Sequence, residues 1–262
     1  MNEYNIIAGV YDRINSGIDY DAWADTVQML FDRHLPSRPE LVLDLACGTG
    51  KMTLALAKKG YDMIGVDSSG EMLSRATEAF YDGLDSGELE GKPRPLFLCQ
   101  DMKAFELYGT VGAAVCCLDS LNYLTGDGEL EKCLLCVHNY LDPDGLFIFD
   151  MNTPYKFENI YGENAYVYDM EENDVSAFCV WQNFYDRETR LCDFYLTLFE
   201  SDGNGKYLRA DEEQRERCYS LDEIRSALEK TGFEFIDVFS DLDLTPPKSD
   251  CQRWYFVARA KK

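Results

Sequence analysis

The chain has 262 residues, 46% of them hydrophobic, enough for one large α/β domain or a domain carrying a substantial insertion. Its 48 acids against 25 bases leave a formal charge of −23. That makes nucleic acid an unlikely partner, because such binding draws most of its affinity from Lys and Arg facing phosphates. No apolar run reaches the roughly 18 residues a membrane span needs, and Met1-Asn2-Glu3-Tyr4-Asn5 carries no secretion signal, so no membrane association is expected.

In chain order, Trp23, Val27, Leu30 and Phe31 fall at helical spacing within residues 20–35. A first strand, 41–45, leads through Gly48-Thr49-Gly50 into a helix, 51–59, stopped at Gly60. A second strand, 62–66, precedes a helix capped by Ser69 that buries Met72, Leu73 and Ala76. After a Gly/Pro-rich loop, 83–95, come strand three at 96–99 and strand four, an unbroken apolar run over 111–118 suited to a sheet centre. A helix over 127–141 and a Pro143-Asp144-Gly145 turn lead to strand five, 146–151. From about 160 to 218, aromatic and β-branched residues alternate with polar ones, predicting antiparallel hairpins with one covered face and a turn at 201–205. Ser220 caps a helix over 221–230 that ends at Gly232, and two strands, 233–238 and 253–260, complete the chain. The pattern predicts an α/β fold, a Rossmann-like three-layer sandwich with a mostly parallel sheet of about seven strands, plus a small antiparallel β insertion. The expected organisation is a core over 1–151 and 219–262, with an insert over 152–218.

The first βαβ unit carries the chemistry. Gly48 and Gly50 permit a tight turn and close approach of a ligand, which in such sheets sits beyond the carboxyl ends of the strands. A dinucleotide fingerprint would place a third small residue where Thr53 stands, and Asp44 would set a carboxylate against a pyrophosphate. A ligand bearing a sulfonium and an ammonium fits that field instead, and S-adenosylmethionine has both. Asp67, at the end of the adjacent strand, is placed to accept bonds from ribose hydroxyls. Asp101 is placed for the adenine amino group, with Met102 offering a backbone N–H and a soft face to the ring.

Ten cysteines show no regular spacing, and five lie in apolar runs, as expected of a reducing, cytoplasmic compartment. Cys133-x-x-Cys136 sits in a helical pattern with no second Cys pair or His cluster, so no metal is expected. His138, inside the same helix and without partners, reads as structural.

Asp-Leu-Ala-Cys-Gly-Thr-Gly from Asp44, Val66-Asp67-Ser68-Ser69-x-x-Met72-Leu73, Gln100-Asp101-Met102 and Cys-Leu-Asp-Ser-Leu-Asn-Tyr-Leu from Cys117 occur in order. The chain thereby resembles the class I S-adenosylmethionine-dependent methyltransferases, in particular the bacterial YqeM-like group with an antiparallel insert after strand five. Asp211-Glu212-Glu213-Gln214-Arg215-Glu216-Arg217-Cys218-Tyr219 also resembles that group, which usually has His where Gln214 stands. The resemblance implies that Asp44 anchors the methionine ammonium, assisted by carbonyls of Ala46 and Leu118. It further implies that Gly48 underlies the cofactor, Asp67 holds the ribose, Ser68 and Met72 flank the adenosine, and Asp101 and Met102 fix adenine. Tyr11 and Trp23 resemble an N-terminal lid over the cofactor. Asp119, Asn122 and Tyr123 follow strand four, where related enzymes place acceptor-facing groups. Sugar N-methyltransferases often carry His near the position of Tyr123, which this chain lacks.

The expected activity is methyl transfer from S-adenosylmethionine to an oxygen or nitrogen of a small molecule by in-line displacement, by a monomer or homodimer. Methylation of protein or tRNA, and cofactor binding without turnover as a sensor or scaffold, are the alternatives.

Overall fold

The computed structural model describes residues 11–172 and 175–262. The N-terminal stretch examined for a secretion signal lies outside the described residues. A short helix, α1 (Tyr11–Ile14), precedes α2 (Tyr20–His34). Asp19 caps α2, its side chain accepting the Ala22 N–H. The core then alternates β1 (Leu41–Leu45), α3 (Lys51–Lys58), β2 (Asp62–Asp67), α4 (Gly70–Asp85), β3 (Leu96–Cys99), β4 (Val111–Cys116), α5 (Glu129–Tyr140) and β5 (Leu141–Asn152). It resumes with α6 (Leu221–Lys230), β10 (Phe233–Phe239) and β11 (Arg253–Ala260).

These strands form one seven-stranded sheet in the order β10-β11-β5-β4-β1-β2-β3, matching the expected mostly parallel, Rossmann-like architecture. The pairs β1–β2, β1–β4, β2–β3 and β4–β5 are parallel, while β11 runs antiparallel to β5 and β10. Alternation along β1 sorts its side chains between two apolar layers. Leu43 and Leu45 pack with residues of α5 and α6, and Val42 packs with α2 and α3. Each fully buried leucine contributes roughly 1.5–3 kcal/mol of transfer free energy. Asp44 shares Val42's parity, so a carboxylate ends up on the α3 side of a hydrophobic layer, with 1% of its surface exposed.

Caps read from the sequence recur in the structure. Ser69 accepts the Met72 N–H, and Ser220 with Glu223 closes a capping box. Two strand limits differ from the pattern. β4 ends at Cys116, because Leu118 and Asp119 take left-handed backbone angles, φ +60° and +53°. β5 starts at Leu141 and accommodates Asp142-Pro143-Asp144-Gly145 through a register shift against β4.

A second, four-stranded antiparallel sheet contains β6 (Ala165–Glu172), β7 (Val175–Asp186), β8 (Leu191–Ser201) and β9 (Tyr207–Arg217), in that order. Its covered face sets Cys179, Cys192, Phe194 and Leu196 against Phe157 and Tyr161 of a single π turn, Lys156–Tyr161, which the sequence pattern does not signal. The register places Gln214 opposite Phe194 and Glu216 opposite Cys192, so two polar residues of β9 join this covered face.

Candidate active site

Three cavities meet at the carboxyl ends of β1, β2 and β4, and Tyr11 lines all of them. The first is lined by Gly48, Asp67, Ser68, Met72, Asp101 and Met102. A small second cavity reaches Asp44 between Ala46, Gly48 and Leu118. The third, lined by residues of both sheets, includes Leu118, Asp119, Tyr123, Trp181, Glu216 and Arg253.

The Gly48-Thr49-Gly50 turn is held open from several sides. Asp67 accepts the Gly48 N–H through Oδ2 and the Ser69 N–H through Oδ1, each at 2.8 Å. Burial nevertheless pushes its carboxyl above the usual range, opposed by those N–H groups. The two glycines serve different ends. A Cβ on Gly48 would meet nothing within 4 Å, whereas one on Gly50 would lie 2.8 Å from Ala76 Cβ. Gly48 therefore keeps cavity space clear, and Gly50 lets the turn pack on α4. Asp12 of α1 receives Thr49 Oγ1 at 2.6 Å and pairs with Lys51 Nζ at 3.3 Å, docking α1 across the turn.

Thr53 donates its hydroxyl to Asp44 Oδ2, so the residue that breaks a dinucleotide fingerprint here steadies the strand-tip acid. Burial pushes the Asp44 carboxyl up to about 7, while the Thr53 bond works against the rise. A buried acid in that state favours a cationic neighbour. Asp101 accepts its Lys103 N–H at 2.8 Å through Oδ1 and remains exposed beside the first cavity. The acceptors match the two halves of the expected cofactor: Asp67 and Asp101 line the first cavity, and a buried acid, Asp44, lines the small one.

Strain concentrates where the cavities join. Ala46, Leu118 and Asp119 all have positive φ, at roughly 1–2 kcal/mol each for residues bearing a Cβ. Asp150 holds the second pair, accepting the Leu118 N–H at 2.8 Å and the Asp119 N–H at 2.9 Å. Arg253 of β11 bridges Asp150 and Asp119, reaching Asp119 Oδ1 at 2.8 Å.

Twelve of the fourteen residues singled out from the sequence line one of these cavities: Tyr11, Asp44, Ala46, Gly48, Asp67, Ser68, Met72, Asp101, Met102, Leu118, Asp119 and Tyr123. Trp23 and Asn122 are placed elsewhere. Trp23 is buried in the α2–α3 layer, edge-on to Tyr255 with ring centroids 5.6 Å apart. Asn122 has no exposed surface and commits its amide to backbone, donating to the Arg217 carbonyl at 2.8 Å and accepting the Asn152 N–H at 3.0 Å. It joins β9 to β5. Tyr123 lines the first and third cavities and donates to Gln214 Oε1 at 2.9 Å. Sequence reasoning missed Asp150, Lys156, Glu216 and Arg253. Cys133 is buried in the core, Cys136 donates to the Phe105 carbonyl, and His138 Nε2 lies 3.1 Å from the Lys261 carbonyl. Among the described residues, no helix is long and apolar enough to cross a membrane.

Comparison with known proteins decides the family. A methyltransferase domain model matches residues 42–145. YqeM of Bacillus subtilis (strain 168), named as a methyltransferase, is 31% identical over 99% of this chain and 98% of its own. The crystal structure of an S-adenosylmethionine-dependent methyltransferase from Clostridium acetobutylicum superposes with a TM-score of 0.83 at 30% identity, covering 99% of both chains. The chain belongs to the YqeM group of class I S-adenosylmethionine-dependent methyltransferases. A glycine/sarcosine N-methyltransferase of Halorhodospira halochloris is 25% identical over 96% of this chain and 87% of its own. The cofactor of this methyltransferase is S-adenosylmethionine, which supplies a methyl group already activated on a sulfonium.

Proposed function

We propose that this methyltransferase acts on an oxygen or nitrogen of a small molecule seated between the two sheets. The observation that carries the reading is the convergence of the three cavities on Tyr11, with Leu118 shared by the Asp44 cavity and the inter-sheet chamber. Asp44 holds the amino-acid end of the cofactor, Asp67 its ribose, and Asp101 with Met102 its adenine. Residues 152–218 act as the insert that covers the acceptor. Tyr123, at the passage between cavities and anchored to Gln214, positions that acceptor. The reference pKa of a phenol, about 10, suits positioning better than proton abstraction near neutral pH. Tyr161, Tyr166, Tyr168 and Trp181 give the chamber apolar walls with polar tips. Among the described residues the Trp181 indole N–H is buried without a partner, leaving a donor for an acceptor's hydroxyl or carbonyl. Alignment and exclusion of water are the main demands of in-line methyl transfer.

The test is incubation of the enzyme with methyl-labelled S-adenosylmethionine and a cell extract, followed by mass analysis of labelled products. Label in a low-molecular-mass compound is expected. Label confined to protein or RNA would refute the small-molecule reading, and cofactor binding without S-adenosylhomocysteine formation would favour a sensor.

A further inference from the structure

The inter-sheet chamber contains a pair of carboxyl groups supplied by different sheets. Asp119 comes from the strained turn after β4, and Glu216 comes from β9 with 1% of its surface exposed. Both converge on one nitrogen: Asn152 Nδ2 donates to Asp119 Oδ2 and to Glu216 Oε2, each at 2.9 Å. The remaining Asn152 oxygen accepts Lys156 Nζ at 2.9 Å. Asp119 is also bonded to Arg253, whereas no salt bridge joins Glu216 to a cation among the described residues. Gln214, on the same face of β9, carries no titratable group.

We propose that Glu216 takes the proton from an ammonium acceptor before its nitrogen is methylated, with Asp119 as its paired carboxylate. This inference rests on the small-molecule reading above and narrows it to amines.

Charge balance in the buried site gives the driving force. Asp119 and Asp150 offset Arg253 and Lys156, so the state of Glu216 sets the net charge of the cluster. An ionised Glu216 leaves it negative and attracts an ammonium. Passing the proton to Glu216 then removes two buried charges at once, which a desolvated chamber favours. In that step an N–H bond breaks with its electron pair left on nitrogen, and an O–H bond forms on Glu216. The nitrogen uses the freed pair to bond the methyl carbon, and the carbon–sulfur pair leaves with sulfur. The Glu216 proton passes to solvent when product departs.

The surroundings tune the two acids in opposite directions. Burial pushes the Glu216 carboxyl well above its usual range, and Asp119 adds to the rise, while Asn152 and Lys156 oppose it. At Asp119 burial is outweighed by Arg253 and Lys156, which hold its carboxyl below the usual range. Tyr161 and Cys192 also face Glu216. Of the two acids, Glu216 is therefore the one that takes up a proton more readily, and a base of raised pKa is suited to operation near neutral pH.

The test uses carboxyl-carbon NMR of glutamate-labelled full-length protein saturated with S-adenosylhomocysteine, with E216Q identifying the resonance. The amide introduced by E216Q retains an oxygen for Asn152, and circular dichroism checks the fold of the variant. Glu216 should titrate above the other glutamates and move back toward them in D119N. Titration with the surface glutamates, or no movement in D119N, would refute the pair. In parallel, glycine, ethanolamine and glucosamine serve as amine probes with labelled S-adenosylmethionine. N-methylation of at least one by the wild type is expected. E216Q should lower kcat by about 10²–10⁴-fold with KM little changed and remove the Glu216 limb of the pH profile. Unchanged kcat and pH profile in E216Q would overturn the role of Glu216, and O-methylation alone or no methylation of the probes would overturn the amine class. Label in another small molecule from the extract would still leave the broader small-molecule reading standing.

Discussion

Asp44 offers a sharp physical test because its carboxyl is both buried and raised to about 7. If the ionised form meets the cofactor's cationic end, affinity must depend on how much of Asp44 is ionised. Between pH 8 and pH 5 that fraction falls from nearly all to roughly one part in a hundred. Apparent affinity should drop by about 100-fold, or about 2.7 kcal/mol. Calorimetric titration with S-adenosylmethionine and with S-adenosylhomocysteine measures it. The second ligand lacks the sulfonium charge but keeps the ammonium, so equal slopes assign the contact to the ammonium. Asp44→Asn should bind weakly and lose most of this pH dependence. Wild-type affinity constant over pH 5–8, or the same slope in the variant, would refute the reasoning.

Free of ligand, the same group has the opposite consequence for stability. A carboxyl raised on folding favours the folded state while protonated. Its stabilisation is fully present below the unfolded value of 3.8 and is lost as pH rises through about 7, a swing of roughly 4 kcal/mol. Unliganded Asp44→Asn should therefore unfold at a higher temperature than the wild type at pH 8.

Other substitutions separate binding from folding. Gly48→Ala should cost about 1–2 kcal/mol of stability through its left-handed backbone and, since its methyl would stand in open cavity, weaken cofactor binding at least about tenfold. Gly50→Ala should instead destabilise by about 2–3 kcal/mol in urea denaturation, through left-handed strain and the Ala76 clash. Asp67→Ala should weaken cofactor binding by about 1–3 kcal/mol, and unchanged calorimetric affinity would remove the ribose role. Trp23→Phe should cost about 1–2 kcal/mol of stability and alter cofactor affinity by less than about twofold. A collapse in affinity would restore the lid role suggested by resemblance.

The cavity residues at the strand tips were legible because their signals are local. A strand tip, a glycine turn and the next strand tip occupy one βαβ unit, so Asp44, Gly48 and Asp67 are ordered by short-range geometry. Helix caps at Ser69 and Ser220 are local for the same reason. The end of β4 was not legible from its apolar run. Leu118 and Asp119 leave the strand because a carboxylate at Asp150 captures their N–H groups from the neighbouring strand. Asn122 looked acceptor-facing by position, yet the Arg217 carbonyl and Asn152 N–H claim its amide once β9 packs against the core. Glu216 was hidden within an acidic run that suggests solvent. Register shows its inward orientation, since Phe194 opposite Gln214 fixes which parity of β9 is covered.

That parity explains why the second sheet is more than a roof. Asn152 at the end of β5 holds Asp119 and Glu216 together, and Arg253 from β11 anchors the core member of that pair. Asp150 in turn fixes the backbone that presents Asp119, at the passage from the cofactor cavities to the chamber. The strained turn, the acid pair and the covering sheet are thus mechanically linked through neighbouring residues of β5. Packing of the insert sets the position of Glu216, while the core alone sets Asp44 and Asp67. Under the proposed roles, cofactor binding and acceptor chemistry depend on different parts of one chain, so substitutions at Glu216 and Asp44 should separate turnover from cofactor affinity.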